Sequence, residues 1–286
     1  HAEVAYTDDM KVDAARRDFT MNALYADANG AVLDPVNGLP DLLAAKVRFV
    51  GDPARRIAED YLRILRFFRF HAQYGDPENG IDPAALSACA EGADGLGRVS
   101  AERIGSEMRK LLSAADPVPS LAAMEASGVL HAILPGASTK LLGPMIHLAL
   151  PHSPSFEALV VALGGDDVAS AWRLTKHESK WIDRLREVSF GPASPFELGF
   201  CLGDAFGMDA LCLRSALAEQ APTNSDMGAV SKGSRAVMPV TAQDLRPTYE
   251  GKALGDALKR AEAAWLKSGG ELSKSALLQR IEGDRS

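Results

Sequence analysis

The sequence predicts a mostly α-helical protein that begins with a short mixed α/β segment. From Pro53 onward, apolar residues recur at helical spacing between caps and breakers such as Asp52 and Gly75. In residues 1–50, two short apolar runs instead flank the turn sequence Asp-Ala-Asn-Gly, which is typical of a β-hairpin. At 286 residues the chain is long enough for one large unit or two to three smaller ones.

Composition excludes several classes of protein. The net charge of −7 does not support coating of nucleic acid by bulk charge, although a local basic groove remains compatible with it. The three cysteines form no CxxC pair, which argues against a disulfide framework and a structural zinc site. We find no signal peptide and no apolar run long enough for a membrane span, so a cytoplasmic protein without a membrane partner is expected.

The first 50 residues carry the sheet signals. Residues 13–23 have helical character, residues 24–26 and 32–33 flank the hairpin turn, and residues 46–50 alternate like a third short strand. An isolated hairpin is marginally stable in water. We therefore expect further strands upstream of His1.

A series of helices follows. Asp52 and Pro53 form a favourable helix start, and the first helix is predicted to continue unbroken to Tyr74. Residues 221–237 are polar and rich in Gly and Ser, which predicts a loop or linker. The other predicted helices cover residues 83–91, 101–114, 119–128, 140–150, 155–163, 168–174, 180–188, 195–206, 210–219, 255–268 and 273–281.

Two short motifs precede the long helix. The first is Arg16-Arg17-Asp18, followed by Phe-Thr-Met-Asn-Ala, and by itself such a charged triplet is most simply a solvated helix face. The second is residues 34–42, in which Asp-Pro and Asn-Gly favour a turn before a helix. This second motif predicts a rigid bend and carries no chemistry of its own.

The third motif, residues 55–70, is rich in arginine. On a helix at about 100° per residue, one face is apolar: Ile57, Tyr61, Ile64, Leu65 and Phe68. The opposite arc holds five arginines and two acids: Arg55, Arg56, Glu59, Asp60, Arg63, Arg66 and Arg69. Apolar residues interrupt this arc, so we expect the arc to be covered and not simply to face water.

Two interpretations of Asp60 and Arg63 remain open from the residues alone. Three positions apart on a helix, they are close enough to form a surface salt bridge. Alternatively, they jointly present donors and acceptors to the edge of a nucleotide base, a task that suits the planar guanidinium. Arg66 and Arg69 would then face phosphates, with which charge-assisted hydrogen bonds are strong.

In series, these motifs resemble a known family. RRDFTMNALYAD, DPVNGLPDL and EDYLRILRFFRF, in this order, resemble the motifs of class II tRNA nucleotidyltransferases (CCA-adding enzymes) and bacterial poly(A) polymerases. RIGSEMRK is similar to the family's neck-helix motif, and MPVTAQDL with Trp265 is similar to the tail of some members. The resemblance implies that residues 1–50 are the C-terminal remnant of an α/β nucleotidyltransferase head, residues 51–115 a helical neck, and residues 116–286 an all-α body and tail that bind tRNA.

The resemblance also implies a nucleotide site. Asp60 and Arg63 would hydrogen-bond the Watson–Crick edge of CTP or ATP. Arg17 would contact the triphosphate or sugar with Asp18 orienting it, and Arg66 and Arg69 would complete the site. In this family Mg²⁺ supports phosphoryl transfer and is held by carboxylates of an upstream Gly-Gly and Asp-x-Asp segment, which this chain does not contain.

We therefore expect the catalytic and metal-binding residues to lie upstream of this chain. The chain alone should catalyse nothing. The adjacent pair Asp8-Asp9 is interpreted as a cap or loop feature. The leading hypothesis is addition of C and A to tRNA 3′ ends without a nucleic-acid template. The alternatives are a poly(A) polymerase of the same family and a non-catalytic helical protein that binds RNA or nucleotide. The sequence gives no indication of the oligomeric state.

Overall fold

The computed structural model describes residues 9–148, 152–246 and 248–283, and it confirms the prediction of a mostly α-helical chain. The strands are β1 (Tyr25–Ala26) and β2 (Val32–Leu33). The helices of the first half are α1 (Met10–Arg16), α2 (Leu39–Leu43), α3 (Pro53–Glu59), α4 (Leu62–Tyr74), α5 (Pro83–Glu91), α6 (Ala101–Leu112), α7 (Val118–Ala126), α8 (Val129–Ile133) and α9 (Leu142–Leu148). Those of the second half are α10 (Phe156–Leu163), α11 (Val168–Ala171), α12 (Lys176–Ser189), α13 (Pro195–Ala218), α14 (Asn224–Arg235), α15 (Ala242–Leu245), α16 (Gly251–Lys267) and α17 (Lys274–Gly283). Short 3-10 helices cover Thr20–Asn22, Pro77–Asn79 and Ala93–Arg98.

The predicted hairpin is present, and its surroundings differ from the prediction. β1 and β2 pair antiparallel, with Tyr25 opposite Leu33. The expected helix over residues 13–23 is wrong, because α1 ends at Arg16 and the backbone is extended at Phe19. The expected third strand is reduced to one bridge between Phe19 and Phe49.

Asp9 caps α1 as predicted, and its carboxylate accepts a hydrogen bond from the Lys11 amide at 2.8 Å. Asp8, the other half of that predicted feature, lies outside the described residues, as do residues 149–150 at the end of a predicted helix.

The prediction of one continuous helix from Pro53 to Tyr74 is wrong. Asp52 caps α3 as expected, but the backbone leaves the helical region at Asp60 (φ −159°, ψ 107°). The Asp60 carboxylate accepts a hydrogen bond from the Leu62 amide at 3.1 Å. Short acidic side chains compete in this way with helical backbone hydrogen bonds, so the chain turns here and restarts as α4.

The chain forms two compact units, of which the first comprises residues 1–140 and 163–179. In its core, the rings of Phe19, Phe49 and Phe67 lie with centroids 5.1 to 6.3 Å apart. A Cβ atom at Gly105 would lie 2.0 Å from the carbonyl oxygen of Trp172, so α6 approaches that backbone closely only because residue 105 is glycine. Trp172 is buried.

The second unit comprises residues 141–162 and 180–286, and here the predicted linker at 221–237 is wrong. Residues 224–235 form α14, whose start is capped reciprocally by Thr223 and Asp226. α14 packs against α13 so closely that a Cβ at Gly199 or at Gly233 would lie about 2 Å from a backbone carbonyl oxygen of the facing helix. The small residues that resemble a linker are therefore a helix–helix contact surface.

None of the helices in the described part of the chain combines the length and the apolar character that a membrane span requires. The predicted boundaries at residues 50 and 115 stay a prediction.

Candidate functional site

The six predicted site residues all lie in the first unit, at the meeting point of the segment after α1 with α3 and α4. Arg66 Nε donates to Asp18 Oδ2 at 2.5 Å across 48 residues of sequence. Arg63 Nη2 donates to the carbonyl of Arg16 at 3.3 Å. These two contacts hold the RRD motif against α4.

Asp18 is the centre of this contact. Its carboxylate is buried and accepts hydrogen bonds from Arg66, from the Asn22 amide group at 2.7 Å and from the Phe19 backbone N–H at 3.2 Å. Burial acts to raise the pKa of Asp18, but the hydrogen bonds from Arg66 and Asn22 and the charge of Arg66 outweigh it, so the pKa lies below its ordinary value of 3.8. Asp18 is therefore ionised and locks Arg66 in one orientation.

This lowered pKa predicts a pH-dependent contribution to stability. A depressed carboxyl pKa stabilises the folded state above the unfolded pKa, and the stabilisation is lost as the pH falls below 3.8 toward the folded pKa. We expect Asp18→Asn to lower the free energy of unfolding at neutral pH, and the difference from wild type to shrink as the pH falls through this window. Denaturant unfolding at several pH values measures this, and a constant difference down to pH ~2 would contradict it.

Asp60 and Arg63 are both held, but by different partners. Arg103 Nη2 donates to Asp60 Oδ2 at 2.7 Å, whereas Arg63 Nη1 lies 2.6 Å from Glu59 Oε2. The structure therefore does not have the salt bridge between Asp60 and Arg63 that was one interpretation of their spacing. The side chain of Asp60 is 35% exposed, which leaves part of its carboxylate accessible.

Arg17 and Arg69 have contrasting surroundings. Arg17 pairs with Asp13 at 3.0 Å and is about half exposed, so it can turn toward a ligand. Arg69 is 11% exposed and pairs with the buried Glu107 at 2.6 Å. A phosphate contact by Arg69, as the resemblance implies, requires this buried pair to open.

Arg103 and Glu107 are partners of these residues that the sequence did not predict. They lie four positions apart, so they share one face of α6. That face reaches back to the arginine-rich motif, with Arg103 at Asp60 and Glu107 at Arg69. The available signal was the RIGSEMRK motif itself, which holds an arginine and a glutamate at helical spacing.

Two cavities of about 140 and 380 Å³ are lined in part by Arg48 and Asp82. None of the six predicted residues lines either cavity. In residues 9–148, 152–246 and 248–283, no three His, Cys, Asp or Glu side chains are placed to hold a metal ion. The described residues therefore do not form a Mg²⁺ site.

Two family models match the chain. The poly(A) polymerase head domain matches residues 1–48, and a model described as the probable RNA- and SrmB-binding site of polymerase A matches residues 80–141. Mitochondrial CCA tRNA nucleotidyltransferase 1 of Mus musculus is 32% identical over 99% of this chain and 69% of its own length. The Homo sapiens protein of the same name is 49% identical over 39% of this chain, a match that spans only 26% of the human protein.

Solved structures show the same fold. The Bacillus stearothermophilus CCA-adding enzyme in complex with CTP superposes with a TM-score of 0.73 at 22% identity, covering 98% of this chain and 77% of that one. The Thermotoga maritima enzyme complexed with tRNA superposes with a TM-score of 0.66 at 16% identity, covering 97% and 74%. The match to the mouse relative, at 32% identity over 99% of this chain and 69% of that protein, shows that this chain belongs to the class II tRNA nucleotidyltransferase, or CCA-adding enzyme, family.

Proposed function

We propose that the complete protein containing this chain adds C and A from CTP and ATP to tRNA 3′ ends without a nucleic-acid template. The observation that carries the proposal is the turn between α3 and α4, where Asp60 and Arg63 are each oriented by a separate charged partner. A site built to pair with a base edge rejects a base that leaves its buried polar groups unmatched.

In this proposal the chain selects and orients the nucleotide. Asp60 accepts a hydrogen bond from the amino group that cytosine and adenine share, and Arg63 donates to the acceptor beside it. Arg66, oriented by Asp18, and Arg17, with its half-exposed guanidinium, face the sugar and phosphates. Arg69 joins them when its pair with Glu107 opens.

Names of related proteins support the proposed ligands. Structures of CCA-adding enzymes are described with CTP, with ATP and with tRNA. We extend these ligands to the present protein, with Mg²⁺ as the cofactor of the complete enzyme. We also propose residues 1–50 as head, 51–115 as neck and 116–286 as the tRNA-binding body and tail.

Incubation of the complete protein with Mg²⁺, a tRNA lacking its 3′ CCA, and CTP or ATP tests the activity. Incorporation of CTP followed by ATP supports CCA addition. Incorporation of ATP alone over many cycles would favour the poly(A) polymerase alternative. Binding of RNA without incorporation of either nucleotide would favour the non-catalytic alternative.

The predicted cytoplasmic location is part of the proposal, although the mouse and human relatives are named as mitochondrial proteins. Fractionation of cells that express the complete, tagged protein tests it.

A further inference from the structure

We propose that Arg103 is a specificity-determining positioning residue, which holds the Asp60 carboxylate in the orientation needed to recognise a base. The inference rests on the proposed function, because it assigns to Asp60 the task of accepting a hydrogen bond from the base. It adds to that function a residue of α6, 43 positions away in sequence, that contacts Asp60 and need not touch the nucleotide.

The Asp60 carboxylate is held through both of its oxygens. Oδ1 accepts from the Leu62 amide at 3.1 Å and Oδ2 accepts from Arg103 Nη2 at 2.7 Å. With both oxygens engaged, the plane of the carboxylate is fixed. An ionised carboxylate offers about four lone-pair sites, so these two bonds leave acceptor capacity for the amino group of a base.

The residues that lead into α6 also contact Tyr61, the neighbour of Asp60. A Cβ atom at Gly95 would lie 2.0 Å from the Tyr61 ring, so glycine at this position allows the ring to lie against the backbone. The guanidinium of Arg98 covers the ring, 5.5 Å from its centroid. Residues 95–103 thus contact both residues of the turn at which α3 ends and α4 begins.

The ion pair of Arg103 with Asp60 is accessible to water. The side chain of Arg103 is 51% exposed and that of Asp60 is 35% exposed. Ion pairs this accessible to water contribute little to folding. Removal of the guanidinium should therefore leave the fold intact and release the carboxylate to rotate, which affects recognition of the base more than stability.

Arg103→Gln and Arg103→Lys in the complete protein test the inference. The readouts are equilibrium dissociation constants for CTP, ATP, UTP and GTP, together with the melting temperature. We expect Arg103→Gln to reduce discrimination of CTP and ATP over UTP and GTP by about ten-fold, the effect of one charge-assisted hydrogen bond. Lysine keeps the charge but not the planar fork, so Arg103→Lys should recover part of this discrimination.

The matched control is Arg173→Gln. Arg173 pairs at 3.5 Å with Glu102, the neighbour of Arg103 in α6, and this pair is also exposed. Its loss removes one guanidinium without affecting Asp60. We expect wild-type discrimination and a wild-type melting temperature for this control.

Unchanged discrimination in Arg103→Gln, with Asp60→Ala losing it, would overturn the inference. A wild-type protein that discriminates among nucleotides in binding but adds none to tRNA would overturn the proposed function, while loss of discrimination in Arg103→Gln would still support the inference. If Arg103→Gln lowers the melting temperature and leaves discrimination intact, the residue is structural and the inference is wrong.

Discussion

Asp60→Ala in the complete protein is expected to remove most of its preference for CTP and ATP over UTP and GTP while leaving the fold nearly unchanged. The carboxylate is partly exposed and its ion pair with Arg103 is accessible to water, so little folding free energy depends on it. If Asp60 is the acceptor for the base, its loss leaves the base amino group unmatched. A site that hydrogen-bonds its substrate can discriminate by factors of about 10⁴ against a substrate that lacks the matching group. We expect the preference for CTP and ATP to fall by at least ~100-fold here.

Arg63 provides the companion measurement. Its guanidinium donates to Glu59 and to the Arg56 carbonyl, so Arg63→Ala also removes structural contacts. Arg63→Lys keeps the charge and removes the fork, which separates the two roles. Steady-state incorporation of each nucleotide, measured together with the melting temperature, checks both positions.

Arg184→Ala is the control for these variants. This arginine forms an exposed pair with Glu187 at 3.0 Å in α12 and has no part in the proposed site. Loss of folding in Asp60→Ala or Arg63→Lys with unchanged selectivity would show that both residues are only structural.

The largest effect on stability is expected at the pair of Arg69 and Glu107. Both side chains are nearly buried, at 11% and 5% exposure, and lie 2.6 Å apart. Removal of one partner of a buried ion pair costs about 3–5 kcal/mol when the remaining charge is left uncompensated. Loss of Glu107 leaves Arg69 only the neutral Gln73 as a side-chain hydrogen-bond partner, whereas loss of Arg69 leaves Glu107 paired with Lys110 at 3.1 Å. We therefore expect Glu107→Ala to lower the melting temperature strongly and Arg69→Ala to lower it less, as measured by thermal and denaturant unfolding.

An apolar replacement of the pair tests the physical reason. Because desolvation of two charges offsets much of their attraction, Arg69→Met combined with Glu107→Leu should be less destabilising than either alanine variant. A small loss of stability in the single variants, accompanied by weaker nucleotide binding in Arg69→Ala, would show instead that Arg69 acts mainly as a ligand contact.

Local interactions explain which elements could be predicted. The cap at Asp52 with Pro53, the hairpin around Asp-Ala-Asn-Gly, and the bounds Pro83–Glu91 depend on residues a few positions apart. Such short-range preferences are present in any stretch of chain, whatever its tertiary contacts. The order of the three motifs likewise identified the family before any geometry was known.

Predictions that depend on distant partners were incomplete or wrong. Residues 221–237 look like a linker because they are small and polar, yet they form α14, since the same small residues allow a close approach to α13. The helical wheel of residues 55–70 assumed a continuous helix, whereas Asp60 leaves the helical region and pairs with Arg103.

The linear sequence was sufficient for the fold class and the family, and its prediction of the charged residues that recognise a nucleotide stays a prediction. Only the tertiary structure decided how those charges are paired, with Asp18 at Arg66, Asp60 at Arg103, and Arg69 withdrawn into a buried pair with Glu107. The physical reason is that an arginine-rich helix has several possible acidic partners, and the choice among them depends on which distant elements pack against each face of the helix.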